Sequence, residues 1–128
     1  MTIDSSALVA ILFGEPGHLD LVDQILSAGA VRVAAPTLVE TSIVFAARRK
    51  AAAAGEVRAL VQELGVTVVP FGERDWHTAV DAFLRFGRGR HKAALNFGDC
   101  FSYAAAANAN DALLFVGDDF SQTDITAA

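Results

Sequence analysis

Short β-like runs alternate with helical stretches along the whole 128-residue chain, and this alternation limits the possible folds more than any other feature. Met1-Thr2-Ile3, Val31–Ala35, Val66–Val69 and Leu113–Val116 read as strands. Between them, Ser5–Phe13, His18–Ala28, Pro36 to about Lys50, Ala51–Leu64, Glu73–Phe86 and Phe97–Ala107 carry helical apolar spacing or helix-forming composition. Val66–Val69, β-branched and bounded by Gly65 and Pro70, reads as a buried strand, and Gly87-Arg88-Gly89-Arg90 as a flexible loop. Strands separated by one or two helices need crossover connections, which build a parallel sheet covered on both faces. The expectation is one α/β/α domain over residues 1–128 with a four- to five-stranded parallel sheet.

Composition narrows the functional classes. Hydrophobic residues make up 53% and charged residues 20%, which excludes a disordered chain. No apolar run approaches the length of a membrane span, and the start lacks a signal-peptide pattern, so no membrane partner and a cytoplasmic location are expected. One cysteine, Cys100, and three histidines without ligand-like spacing leave no Cys/His metal site. Cys100, with no histidine spaced to activate it, is expected to pack, as are Trp76 and most of the nine Phe residues. The net charge of −5 argues against a nonspecific nucleic-acid binder. Yet seven of the ten bases fall in two stretches, Arg48-Arg49-Lys50 and the four bases Arg85, Arg88, Arg90 and Lys92. A phosphate-gripping rim and a pair of solvated loops both fit that distribution.

Most acids fall at polar helical positions. Five do not. Asp4 follows the first strand, Glu40 lies among apolar residues of its helix, and Asp99 follows Asn96-Phe97-Gly98. Asp118 and Asp119 follow the last strand. Each has a structural reading: Asp4 as a helix N-cap, Asp99 in a capping box with Asn96, Asp118-Asp119 as an acidic turn. In an open parallel sheet, however, strand ends and helix starts meet at one ligand crevice. Five carboxylates there would repel one another unless a cation or bound protons offset the charge. All-oxygen ligation suits Mg²⁺ or Mn²⁺, ions that act on phosphates.

Ile3–Leu12 with its Asp-Ser-Ser, Glu40-Thr41, Leu95-Asn96-Phe97-Gly98-Asp99-Cys100-Phe101-Ser102-Tyr103-Ala104, and Leu113–Phe120 with Thr123-Asp124-Ile125 together resemble the VapC-type PIN-domain toxins, in order and at matching separations. The resemblance implies a PIN domain acting as a Mg²⁺- or Mn²⁺-dependent endoribonuclease, the toxin of a type II toxin–antitoxin pair. It implies structured RNA such as tRNA or ribosomal RNA as substrate, homodimerisation, and a VapB-type antitoxin whose C-terminal segment enters the acidic cleft. The family's acids map onto Asp4, Glu40, Asp99 and, as the acid before Phe, Asp119, with Asp118 beside it. Ser6 matches the family's small hydroxyl residue, expected to hold a water or phosphate. Arg85, Arg88, Arg90 and Lys92 are expected to grip the RNA backbone. Two other classes share strand-end acids. A Mg²⁺-dependent phosphohydrolase would need a second Asp two residues after the first, where this chain has Ser6. A catalytically degenerate PIN domain would act by binding alone.

Overall fold

The computed structural model describes residues 1–49 and 53–128, and the side chains of residues 53 and 54 are left aside. Lys50, Ala51 and Ala52, the last base of the first basic stretch and the expected start of the fourth helix, lie outside the described residues. The elements run β1 (Thr2–Ile3), α1 (Ser5–Phe13), α2 (His18–Ser27), β2 (Arg32–Ala34), α3 (Ala35–Arg49), α4 (Ala53–Glu63), β3 (Thr67–Val69), α5 (Glu73–Phe86), α6 (Phe97–Ala109) and β4 (Leu113–Leu114), then a 3₁₀ turn at Phe120–Gln122. Every strand pairing is parallel, in the order β3-β2-β1-β4. An isolated parallel bridge between Leu113 and Ala127 adds the C-terminal tail beyond β4. The expected α/β fold with a four- to five-stranded parallel sheet is therefore what forms. No helix among the described residues is long and apolar enough to cross a membrane.

Two apolar clusters flank the sheet. Ile3, Leu8, Ile25, Val33, Val61 and Leu114 form one, joining α1, α2 and α4 to the strands. Ala82, Phe86, Leu95, Tyr103, Ala104 and Leu113 form the other, beneath α5 and α6. The alanines of α6, with Ala104 and Ala106 fully buried, let that helix lie close against its neighbours.

The strand Thr67–Val69 departs from its expected burial. Thr67 and Val68 are exposed, and only Val66, just before the strand, is buried. The reason is topological: β3 sits at the sheet edge and pairs only with β2. A β-branched run bounded by Gly and Pro signals a strand, not its place in the order.

At the opposite end of the sheet from the strand carboxyl termini, Asp111 gathers charge. Its Oδ2 accepts from the Thr2 hydroxyl at 3.0 Å and pairs with Arg32 Nε at 3.0 Å and the Met1 ammonium at 3.4 Å. The tail is fastened separately. The Tyr103 hydroxyl donates to Asp124 Oδ1 at 2.6 Å, and Arg85 donates to Asp124 Oδ2 at 2.6 Å. Burial and the neighbouring carboxylate push the Tyr103 phenol up to about 12.

Because Tyr103 is buried and its partner is charged, Tyr103→Phe should lower stability by about 1–3 kcal/mol in urea denaturation. An unchanged midpoint would show that the tail is held without this bond.

Candidate active site

Asp4 leaves β1 at its carboxyl end, its N–H still donating to Leu114 O at 2.9 Å. The backbone then turns into α1 with Asp4 as the N-cap: Oδ2 accepts from Ser6 N at 2.9 Å. The same oxygen accepts from the Ser6 hydroxyl at 2.6 Å, and Ser6 Oγ in turn accepts from Val116 N at 3.0 Å. Ser6 thus ties the first acid to the segment leaving β4. Its one hydroxyl proton is directed at Asp4 rather than left for a phosphate, so the hydroxyl orients the acid. Asp4 is 2% exposed, and its Oδ1 is buried with no hydrogen-bond partner among the described residues.

Asp99 enters from α6 in the capping box that its spacing predicts. Asn96 Oδ1 accepts from Asp99 N at 3.0 Å, and Asp99 Oδ2 accepts from Asn96 N at 2.7 Å. One carboxylate oxygen is committed to the cap, and the other remains for the crevice. Burial, together with the charges of Asp4, Asp119 and Glu40, pushes the Asp99 carboxyl up to about 7, against the lowering effect of the Asn96 backbone N–H.

Glu40 comes from the second turn of α3. Its carboxylate lies directly over Gly98, where any Cβ would collide with it, so the Gly98 position lets α6 pass beneath the acid. Burial and the Asp4 charge raise its pKa, and a hydrogen bond with the Ser5 side chain opposes that rise. Among the described residues, Glu40 Oε2 is likewise buried with no hydrogen-bond partner. Two residues that the sequence reading missed hold α3 against α6: the hydroxyls of Thr37 and Ser102, both 0% exposed, meet at 3.2 Å. Thr37 lies one turn before Glu40, and Ser102 one turn after Asp99. Small hydroxyls one turn from acids in otherwise apolar helices were the available signal.

After β4, Asp118 and Asp119 are both exposed, but they differ in surroundings. The Asp119 charge acts on Asp99. Asp118 instead uses its carbonyl to close the following turn, accepting from Ser121 N at 3.1 Å and Ser121 Oγ at 2.6 Å. Asp4, Glu40, Asp99 and Asp119 therefore share one electrostatic neighbourhood at the carboxyl edge of the sheet. Among the described residues, no three His, Cys, Asp or Glu side chains are already drawn into one ligating group. Two buried oxygens without donors, in an all-carboxylate cluster where Glu40 and Asp99 are pushed toward protonation, nevertheless match the needs of a hard divalent cation.

The basic segment is more ordered than its glycines suggest. Arg88 N donates to Leu95 O and Leu95 N to Phe86 O, both at 3.0 Å, closing a loop further braced by Arg90 N and His91 N on Gly87 O. Arg88, Arg90 and Lys92 project from it, exposed. Arg85 lies outside that loop, in α5, paired with Asp124. Cys100 packs as expected, buried and with its thiol pushed up to about 11, away from reactivity. Trp76 does not: it is 56% exposed, with Val80 and Leu84 on the same outer stripe of α5.

Residues 1–125 match the family model described as the PIN domain. Ribonuclease VapC36 of Mycobacterium tuberculosis is 44% identical over 126 residues, covering 98% of this chain and 91% of that protein. Ribonuclease VapC of Mycolicibacterium smegmatis is 38% identical over 128 residues, covering 99% and 98%. Among solved structures, the crystal structure of M. tuberculosis VapC20, titled a sarcin-ricin loop cleaving toxin, superposes with a TM-score of 0.80 at 19% identity over 99% of this chain and 97% of that one. A toxin–antitoxin complex from Klebsiella pneumoniae superposes at 0.72 with 11% identity, covering 99% and 95%. These two show the common fold, while the sequence relatives and the family model carry the assignment: the chain belongs to the PIN-domain family, among the VapC ribonucleases.

Proposed function

We propose that this protein is a Mg²⁺- or Mn²⁺-dependent endoribonuclease, the toxin of a VapBC-type pair, which cuts structured RNA such as tRNA or ribosomal RNA in the cytoplasm. The observation that carries this reading is the pair of buried, unpartnered oxygens, Asp4 Oδ1 and Glu40 Oε2, inside a four-acid cluster. Unpaired buried charge is costly, and a cation offsets it.

Asp4, Glu40, Asp99 and Asp119 are the residues that would hold the ion. A bound Mg²⁺ or Mn²⁺ supplies charge stabilisation at the phosphodiester and activates a water for attack. The chain's own groups do the rest. Ser6 and Asn96 lock one oxygen of Asp4 and one of Asp99, which leaves a single oxygen of each acid facing the crevice. With Asp99 shifted to about 7, part of the cluster stays protonated near neutrality until compensating charge arrives. Arg88, Arg90 and Lys92, just before α6 in the chain, are the cations that would grip backbone phosphates, which the acids alone repel. Arg85 is assigned mainly to the tail because Asp124 already engages it. A VapB-type antitoxin silencing the acidic cleft and a homodimeric assembly complete the reading. The phosphohydrolase alternative gains nothing from the geometry, since Ser6 stands where its second Asp belongs and is occupied with Asp4 and Val116.

Asp4→Asn and Asp99→Asn should each abolish cleavage of an RNA panel in Mn²⁺ while the domain stays folded. In EDTA the sign for Asp99 follows from its raised pKa. The native state favours the protonated form, so its contribution is full below about pH 4 and is lost as pH rises through about 7. Denaturation in EDTA should therefore show wild type losing stability relative to Asp99→Asn between these limits; a pH-independent difference would remove the burial argument.

Asp119→Asn should impair cleavage far more than Asp118→Asn. Equal losses would mean that the Gly117–Phe120 turn matters as a unit, and the reverse order would make Asp118 the fourth acid.

Replacing Arg88 and Arg90 together with Gln should weaken RNA binding evenly across sequences. The salt dependence should become shallower by roughly one unit of slope per lost contact, with the cut position unchanged. Unchanged affinity and slope would return the loop to the solvated reading.

A further inference from the structure

Phe97 is 80% exposed, the most exposed of the large apolar side chains. It stands at the first position of α6, one residue before Gly98, over which the Glu40 carboxylate lies, and two before Asp99. On its other side the Arg90 guanidinium, from the basic loop, lies 5.8 Å from the ring of Phe83, which shares a hollow with Phe97. Its ring is not loose. Phe101 meets it edge to face, with centroids 4.7 Å apart, and Phe71 supports Phe101 in the same way at 5.1 Å. The ring divides two hollows. One, of about 380 Å³, is lined by Phe97, Phe101, Pro36, Val39 and Ile43, with Glu40 in its wall. The other, of about 500 Å³, lies toward Phe71 and α5.

We propose that Phe97 is a stacking platform for one unpaired nucleobase of the RNA beside the scissile phosphate, with that base seated in the hollow walled by Glu40. The proposal rests on the ribonuclease reading and adds a positioning residue to it. A phosphodiester brought to the acids carries its neighbouring base past the residue that starts the same helix. That residue is a braced, solvent-facing ring beside an apolar slot. Aromatic rings hold splayed-out RNA bases without demanding a particular sequence, because every base has a π-face. The arrangement divides the labour: the basic loop takes phosphates, Phe97 takes a base, and the acids take the bond between nucleotides. An apolar protein segment would also fill the hollow, but Arg90 toward one side of the ring and Glu40 on the other favour the nucleic acid.

The test uses a fluorescent RNA stem–loop with an unpaired loop of mixed sequence, and a second one whose loop nucleotides are abasic. Binding to the full chain is read by anisotropy with Ca²⁺ in place of Mn²⁺ to compensate the carboxylates, and cleavage is read separately in Mn²⁺. Phe97→Leu keeps an apolar side chain but removes the π-face, and should weaken binding to the unpaired loop about tenfold. The slope of affinity against salt should stay the same, because no phosphate contact is lost. Phe97→Trp should restore binding. On the abasic loop, wild type and Phe97→Leu should bind equally, as a double-mutant cycle between ring and base requires. Equal affinities of wild type and Phe97→Leu for the unpaired loop, with cleavage in Mn²⁺ intact, would overturn this inference and leave the ribonuclease reading standing. Unchanged RNA binding with a lost dimer or lost antitoxin binding would overturn it by giving the ring to a protein interface. Wild-type protein that neither binds nor cuts RNA would overturn both.

Discussion

Repulsion among carboxylates that the fold itself gathers is the constraint around which the rest of this structure is arranged. Asp4 is nearly inaccessible, yet among the described residues only one of its oxygens finds donors. Glu40 and Asp99, from two other helices, both have their pKa raised by burial and by neighbouring carboxylates, Asp4 acting on each. A cluster like this lowers stability, so its position must be fixed by groups that do not neutralise it. Helix capping supplies part of that fixing. The Asp4 cap and the Asn96–Asp99 box each bind one carboxylate oxygen and leave the other free.

The remaining fixation is apolar and neutral. Parallel pairing of β1 with β4 brings the two strand ends side by side, and the Ser6 hydroxyl joins them through Val116 N. The buried Thr37–Ser102 contact sets α3 against α6, and Gly98 lets the Glu40 carboxylate lie across the helix start. None of these groups carries charge, so they hold the acids in place without changing the net electrostatics. Positive charge is kept apart: Arg32 serves Asp111 at the other end of the sheet, and Arg85 serves the tail. The cations left exposed near the start of α6 are those of the closed loop.

Much of this was legible in the chain. Helices Ser5–Phe13 and Glu73–Phe86 end where their glycines indicate, and both caps were readable because an acid or Asn at a helix start has a local, mechanistic signature. What was not legible depends on neighbours distant in sequence. The exposure of Val68 follows from strand order, which no local run encodes. Trp76 was expected in the core, but the buried face of its helix is Ala79, Ala82 and Phe86, which turns the stripe of Trp76, Val80 and Leu84 outward. The double use of Ser6 needs β4, more than a hundred residues away. The order of the basic loop comes from its pairing to Leu95, which its glycines conceal.

At the centre of this structure, the acid cluster is read as a cation site held ready by neutral groups. Calorimetric titration of Mn²⁺ into the wild-type protein near pH 7, in two buffers of different protonation enthalpy, addresses it directly. Saturable binding with net proton release is expected, because Asp99 must give up the proton that burial favours. Loss of that binding is expected in the Asp4→Asn/Asp99→Asn double variant. The absence of saturable heat, or equal binding by the double variant, would contradict the cation-site reading.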